Sequence, residues 1–535
     1  MQLRKNNIEK LSKGDYDVLI IGGGINGAVS AAALACKGAR VALIDKGDFA
    51  GFTSQESSNL AWGGIKYLET MEFGLVRKLC MSRNRLIRNY PSTVKEIRFL
   101  ITHPKGFRRS LWTLLSGAWL YWFIGNGFTR PPDWFSRKKI EEEEGIVDLT
   151  ASDGGFEYSD AYFHDNDARF VFNFVRSAMN YGCVAANYVE SSGGERDQNG
   201  IWSTRIRDVI GGKESVIRSK LIINACGPYV DHYNQMIRQS TEHHHVFSKG
   251  IHLIVKKLSP NRRVLTFFSL DGRMFFVIPM GNRTCIGTTD TRVDHMESTV
   301  TEEDREFVLK NINHMLKLPS PLTTEDIVAE RCGVRPLVVK GSGAGKQDWL
   351  ALSRKHAVEA NVDSGIISIL GGKLTDCINI GEEISESVES QFGINLPYKD
   401  HIWYGEDPQG ARKEFMHQAE LMELDKMTSS QSFEKLSSRL WRRHGSHALE
   451  LLESIREDPK MAEVLIKGTE YIHCEIELSA RREMITKLDD FLRRRSKIAL
   501  IETKETIRNS PGIMEACQIL FGEEAQQKFD EYFNS

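Results

Sequence analysis

Residues 18–47 read VLIIGGGINGAVSAAALACKGARVALIDKG. Val18–Ile21 is a short apolar run of the kind that forms a buried strand. Ile25–Lys37 is an alanine-rich helix pattern, and Arg40–Asp45 a second strand pattern. Strand, helix and strand in this order predict a βαβ unit, hence a parallel sheet with a right-handed crossover. At the first turn Gly22, Gly24 and Gly27 form G-x-G-x-x-G. The first glycine permits a tight turn, the second lets backbone approach a pyrophosphate, and the third lets the helix pack on the strand. The unpaired N–H groups at the helix start then face the phosphates. Asp45 ends the second strand about 20 residues on, where an acid accepts the ribose hydroxyls of an adenosine half. A glycine-rich turn without a ligand is the plain alternative. The register of strand, triplet, helix and acid argues against it.

The spacing does not separate NAD from FAD. Residues 47–69, GDFAGFTSQESSNLAWGGIKYLE, carry small and hydroxyl side chains and then Gly63–Gly64. They offer donors and close backbone to a long ligand running on from the pyrophosphate, as a permanently held flavin needs. IINACGP at 222–228 adds a strand-end motif common in flavoproteins.

A formal charge of −2 over 535 residues argues against a general polyanion binder, so no nucleic-acid partner is expected. Hydrophobic content of 41% and charged content of 27% suit a globular protein with a sizeable core. The nine cysteines form no CxxC pair and no zinc-spaced cluster. They read as free thiols in a reducing compartment, with no metal site. The polar opening, residues 1–17, shows no secretory pattern. Ser110–Thr129 is uncharged, rich in tryptophan and interrupted by Gly117, Gly125 and Gly127. A span needs about 20 apolar residues. A buried helix is therefore expected ahead of a membrane-surface or lid helix, and a true span last.

Strand patterns such as RMFFVIPM (273–280) and TCIGTTD (284–290) place a second, sheet-containing domain in the interval 155–293. Beyond about residue 400 the pattern becomes helical and densely charged, with 399–409 as a boundary. EEEE at 141–144 reads as a solvated helix start and HHH at 243–245 as a loop.

Taken together, DVLIIGGGINGAVSA, GDFAGFTSQESSNL leading into GGIKYLE, FEYSDAYFHDNDARFV, INACGPYVD, KGIHLIV, FFVIPM, IGTTDT, GVRPL and GGKLTD resemble the FAD-dependent glycerol-3-phosphate dehydrogenase family. That family lies within the D-amino-acid-oxidase-like flavoproteins. RHGSHALELLESIRED and LRRRSKIAL extend the resemblance through the helical part. It implies an α/β FAD-binding Rossmann-like domain with an inserted β-sheet substrate domain, plus an α-helical C-terminal domain. The oxidoreductase would occupy residues 1–395, with FAD-binding segments at about 15–75, 155–230 and 330–395 and substrate segments at about 76–154 and 231–329. The helical domain would occupy 400–535. The implied chemistry is hydride transfer from sn-glycerol 3-phosphate to FAD, giving dihydroxyacetone phosphate. Electrons then pass to a quinone or another acceptor such as oxygen. A peripheral location on the inner, cytoplasmic face of the membrane follows, with Ser110–Thr129 and basic runs such as Arg493–Arg495 as contacts; a homodimer is open. An oxidase or dehydrogenase of another small anionic hydroxy or amino acid is the first alternative, and a non-catalytic flavin-binding scaffold the second.

The resemblance carries cofactor contacts onto Gly22, Gly24, Asn26, Gly27, Asp45, Lys46, Thr53, Ser54, Ser58, Asn59, Leu60, Gly63, Gly64, Ala225, Gly227, Gly372, Lys373, Leu374 and Thr375. A substrate phosphate dianion needs about two fixed cations. Arg335, Arg354 and Lys373 sit where the family places them; a surface salt bridge is the plain alternative for each. His252 matches the family's active-site histidine, able to accept an alcohol proton, and Arg335 shares that catalytic role by stabilising an alkoxide. A core histidine satisfied by backbone is the alternative. Thr288, Thr289, Lys66 and Tyr67 would touch substrate or flavin. Four positions depart from the family pattern. Trp62 stands where a histidine is usual, Lys66 where an arginine is usual, and Ile251 where a serine is usual. Asp376-Cys377-Ile378 stands for Thr-Tyr-Arg. Trp62 also removes a candidate histidine for a covalent link, which favours non-covalent FAD.

Overall fold

The structure, a computed structural model, describes residues 2–269, 273–341, 355–407, 410–430 and 432–534. Strand β1 (Asp15–Ile21), helix α1 (Ile25–Cys36) and strand β2 (Val41–Ile44) form the expected unit. β1 and β2 pair in parallel, with Val18 opposite Val41 and Ile21 opposite Ile44. Glu214–Asn224 runs parallel to β1 on its other side, and Ile366–Leu370 runs parallel to that strand in turn. Side chains alternate along β1, as a strand requires. Val18 and Ile20 face a core built with α1 and helices 167–180 and 377–390. Leu19 and Ile21 face a second core with Leu11, Trp202 and Tyr233. Both faces are covered, which is why the strand reads as an unbroken apolar run.

A second, mixed sheet is built around two long antiparallel strands, β3 (His243–Lys256) and β4 (Ile327–Lys340). Strands 94–104 and 152–163 also join it, together with Met274–Met280 and Arg283–Gly287. The interval 155–293 is therefore not one inserted domain. Its middle part, helix 167–180 and strand 214–224, returns to the first sheet before the chain re-enters the second. Strand pairing is non-local, so no local pattern marks these returns.

Helix α2 (Leu111–Ile124) corrects the expected burial of the tryptophan-rich segment. Ser110 caps it, accepting from the Thr113 N–H at 3.2 Å. Only Leu115, Ala118 and Tyr121 are buried in it. Trp112 is 66% and Phe123 64% exposed, and Trp119 and Leu120 are also exposed. A helix that is apolar all round carries no periodic mark of which face is covered. Among the described residues no helix is long and apolar enough to cross a membrane.

Three further expectations change. His243–His245 open β3 instead of forming a loop, with His243 against Glu359 at 2.7 Å and His245 against Asp231 at 3.1 Å. The EEEE run ends helix Arg137–Glu143 instead of starting one, and Glu144 is buried against Arg263 at 3.2 Å. Arg493–Arg495 are buried against Asp48 and Glu56, which follow β2, and are not available as a membrane contact. The C-terminal region is helical from Ala411 to Phe533 around two small cores, and it docks on the first sheet through buried ion pairs.

Candidate functional site

The glycine turn joins β1 to α1 under close contact. Gly22 has φ +102°, a left-handed backbone that disfavours side chains, and a Cβ there would collide with the Ala225 carbonyl. A Cβ at Gly27 would collide with the Gly22 carbonyl, so this glycine serves packing and does not line the cavity. Gly24 is the N-cap of α1, and the Ile25 N–H donates to Ser54 Oγ at 3.0 Å. Asp45 accepts from the Gly23 N–H at 2.6 Å and the Gly47 N–H at 2.8 Å. Burial pushes its carboxyl up to about 6, against the pull of these two N–H groups. Asp45 thus braces the turn as well as lining the cavity. Asn26 Nδ2 donates to the Gly371 carbonyl at 2.8 Å, while its buried Oδ1 has no donor among the described residues.

These groups line one end of a cavity of about 750 Å³. Lys46, Thr53, Ser54, Ser58, Leu60, Ala225, Gly227, Gly372, Lys373, Leu374 and Thr375 also reach its wall. A helix N-terminus, an acid and closely approaching glycine backbone in one cavity fit a dinucleotide. Asn59, Gly63 and Gly64 stand behind the wall. Asn59 donates to the Asp165 carbonyl at 3.1 Å and accepts from Arg331 at 2.6 Å. The Gly63 N–H donates to Asp160 at 3.0 Å, and Gly64 takes φ +80° to start the turn Ile65–Leu68. They shape the segment without lining the cavity.

The other end is set by the pairing of β3 with β4. Ser248 lies opposite Arg335, Gly250 opposite Gly333, and His252 opposite Arg331. Alternate residues share a face, so His252, Arg331 and Arg335 share one side of the pair. His252 is 2% exposed, and neither ring nitrogen has a hydrogen-bond partner among the described residues. Burial first, then the Arg335 and Arg331 guanidinium groups, push its pKa down to about 3, so the imidazole is neutral at pH 7. Arg335 donates to Thr288 Oγ1 at 3.2 Å and lies 3.6 Å from Asp290. Lys373 Nζ donates to the Tyr67 hydroxyl at 3.0 Å. Trp62 donates its indole N–H to the Tyr158 hydroxyl at 3.0 Å and turns an apolar face to the cavity. Lys66 lies exposed at the mouth.

Thr289 does not reach the cavity: its hydroxyl accepts from the Ile251 N–H at 3.0 Å and its side chain is buried. Arg354 lies outside the described residues. Two of the four departures from the family pattern also turn away. Ile251 points into the opposite core. Asp376 is buried against His356 at 2.9 Å and Lys78 at 3.6 Å. Glu56, Arg273, Phe276 and Asp290 line the cavity without having been singled out. Alternation in RMFFVIPM marks Met274 and Phe276 as one face; nothing local marks Glu56.

Residues 17–374, more than half of the chain, match the family model described as FAD dependent oxidoreductase. Residues 409–528 match the C-terminal domain of alpha-glycerophosphate oxidase. The aerobic glycerol-3-phosphate dehydrogenase of Bacillus subtilis (strain 168) is 29% identical over 515 residues, covering 92% of this chain and 89% of that protein. The glycerol-3-phosphate dehydrogenase of Synechocystis is 27% identical, covering 96% of this chain and 94% of that one. The glycerol-3-phosphate dehydrogenase of Bacillus halodurans, solved with FAD, has the same fold: its TM-score is 0.73 at 24% identity, over 99% of this chain and 96% of that one. With a dinucleotide turn, a flavin-sized cavity and a helical C-terminal domain in the same order, the chain belongs to the FAD-dependent oxidoreductase family.

Proposed function

We propose that this protein oxidises sn-glycerol 3-phosphate to dihydroxyacetone phosphate, using FAD. The observation that carries this reading is the neutral, buried His252 beside Arg335 in the cavity that also holds the dinucleotide turn. Relatives matched over nearly the whole chain, named glycerol-3-phosphate dehydrogenases, support it. We assign residues 1–395 to the oxidoreductase and 400–535 to the helical domain.

FAD, when bound, supplies the hydride acceptor. Gly22, Gly24 and the start of α1 would hold its pyrophosphate and Asp45 its adenosine ribose. Ser54, Ser58 and Gly372–Thr375 would hold the remainder. Arg335 and Lys373 take the substrate phosphate, with Lys66 drawing it in at the mouth. A ring nitrogen of His252 takes the proton of the secondary hydroxyl. At a pKa of about 3 the free imidazole is a weak base. Burial, the largest cause of that depression, stays; the arriving phosphate dianion offsets only the Arg335 share, so His252 becomes somewhat more basic once substrate is bound. Arg335, beside His252 in the cavity, also steadies the alkoxide.

The electron acceptor in this reading is a membrane quinone. The exposed face of α2 carries Trp112, Trp119, Leu120 and Phe123, and Trp134 stacks on Trp112 at 6.3 Å. Arg108 and Arg130 are exposed at its ends, paired with Glu69 at 3.0 Å and Glu96 at 3.5 Å. An exposed aromatic face flanked by arginine suits an interfacial helix. Peripheral binding to the cytoplasmic face follows, and vesicle co-sedimentation lost on Trp112→Ser with Phe123→Ser checks it. Trp62 supports a second reading, another small anionic hydroxy or amino acid, because its indole N–H is taken by Tyr158 and its apolar face offers glycerol 3-phosphate no donor where a histidine is usual.

The deciding experiment is anaerobic titration of the yellow holoprotein with glycerol 3-phosphate. Loss of the flavin band at ~450 nm, the cofactor's own redox signature, supports the assignment. A spectrum that stays oxidised rejects this substrate and moves the search to the second reading.

A further inference from the structure

Arg493, Arg494 and Arg495 lie in the turn Asp490–Arg495 of the C-terminal domain, and all three reach one segment of the other domain, residues 48–56. Asp48 accepts from Arg494 Nε at 2.7 Å and from both terminal nitrogens of Arg495 at 2.8 Å. Arg494 also donates to Gln55 Oε1 at 3.2 Å. Arg493 donates to the Gln55 carbonyl at 3.1 Å and to Glu56 Oε1 at 3.0 Å. Burial alone would raise the Asp48 carboxyl; Arg495 and Arg494 outweigh it and hold the group below the ordinary carboxylate range.

The opposite side of this segment faces the cavity, through Gly51, Phe52, Thr53, Ser54 and Glu56. Ser54 meets the first turn of α1, where the Ile25 N–H donates to it. The segment has little structure of its own. Its only regular piece is the short turn Thr53–Gln55, and Ala50 sits at φ 63°, a left-handed backbone that alanine adopts at a cost. Its shape is held by its surroundings. The glycine turn holds Ala50, whose N–H reaches the Gly23 carbonyl at 3.0 Å. β4 holds Thr53 and Glu56, through the Val334 carbonyl at 2.8 Å and the Cys332 N–H at 3.2 Å. The three arginines hold the remaining side, with Asn187 donating to Asp48 at 2.8 Å beside them.

We propose that the Asp490–Arg495 turn is a positioning element for the FAD-binding segment: it presses residues 48–56 into place, sets Ser54 at the start of α1, and so governs the affinity for FAD. This rests on the FAD site of the proposed function and not on its substrate. The helical domain then acts as a holdfast for the cofactor. Its arginines are positioning residues, since they touch the segment and not the cavity.

The test titrates full-length protein, stripped of its flavin, with FAD and follows the quenching of flavin fluorescence. Arg494→Gln is expected to weaken FAD binding at least tenfold, or about 1.4 kcal/mol. Arg494→Lys, which keeps the charge but loses the fork, should lie between it and wild type. Arg493→Gln leaves Asp48 with both of its arginines, lies outside the cavity wall and keeps the fold if Arg494→Gln does not. It is expected to weaken FAD binding by about threefold or more, while the thermal midpoint of the flavin-free protein stays close to wild type. A merely structural role lowers that midpoint and leaves FAD affinity alone. Wild-type FAD affinity in Arg493→Gln overturns the proposal. No substrate enters the titration, so a wrong substrate assignment leaves its outcome untouched.

Discussion

Gly250 and Arg335 lie on neighbouring strands of the β3–β4 pair, and a Cβ at position 250 would run into the Arg335 guanidinium. The glycine is the space that lets the arginine lie flat beside His252. Gly250→Ala should therefore move the far end of a flexible side chain, at small cost in stability, yet displace the proposed phosphate clamp. The expected result is a KM raised about tenfold or more with a thermal midpoint within a few degrees of wild type. An unchanged KM would remove Arg335 from substrate binding. Lys373→Ala should raise KM in the same direction.

His252→Gln removes the proton acceptor while keeping a polar side chain of similar reach. Flavin reduction, followed anaerobically by rapid mixing, should slow by about 10²- to 10⁴-fold, the usual worth of a general base. Bound FAD should remain at the wild-type ratio. A rate within a factor of three of wild type would make His252 a core residue.

The same histidine has a signature in stability. Its pKa falls from the ordinary 6.5 when unfolded to about 3 when folded. Between those values the unfolded chain binds the extra proton and the folded chain does not, so stability falls as pH drops from about 6.5 towards 3. His252→Gln should lose less stability than wild type between pH 6.5 and 4.5, measured by urea unfolding at each pH. Parallel curves for the two proteins would contradict the buried, neutral imidazole.

Glu483 binds the helical domain to the first sheet through Arg169 at 2.7 Å. Burial would raise its carboxyl, but Arg169 outweighs this and holds it at about 2. The stabilisation is present above its ordinary pKa of 4.5 and is lost as pH falls towards about 2. Glu483→Gln leaves the buried Arg169 charge uncompensated, at a cost of about 3 kcal/mol, the lower part of the range for a broken buried pair. The lower part applies because Arg169 also donates to the Arg443 carbonyl at 3.1 and 2.7 Å. Urea unfolding at pH 7 reads this loss directly.

What the chain declares by itself is what local geometry dictates. The strand–glycine–helix–strand unit was legible because Gly27 answers to the Gly22 carbonyl within the same turn, and because a buried parallel strand must be apolar on both faces; Gly22 itself answers to the distant Ala225. His252, Arg335 and Lys373 were legible by resemblance, and the structure brings all three to one cavity. Only the tertiary structure decided which neighbours turn inward. Ile251 and Thr289 each sit next to a cavity-lining residue and face away from the cavity, Ile251 because strand alternation sends it to the opposite core and Thr289 because its hydroxyl turns to the Ile251 N–H. Arg493–Arg495 carry the composition of a membrane contact and are buried, because acids far away in sequence, Asp48 and Glu56, meet them there. Helix α2 reads as core and stands exposed. Charge and apolarity fix what a side chain needs, while burial depends on non-local partners that composition does not record.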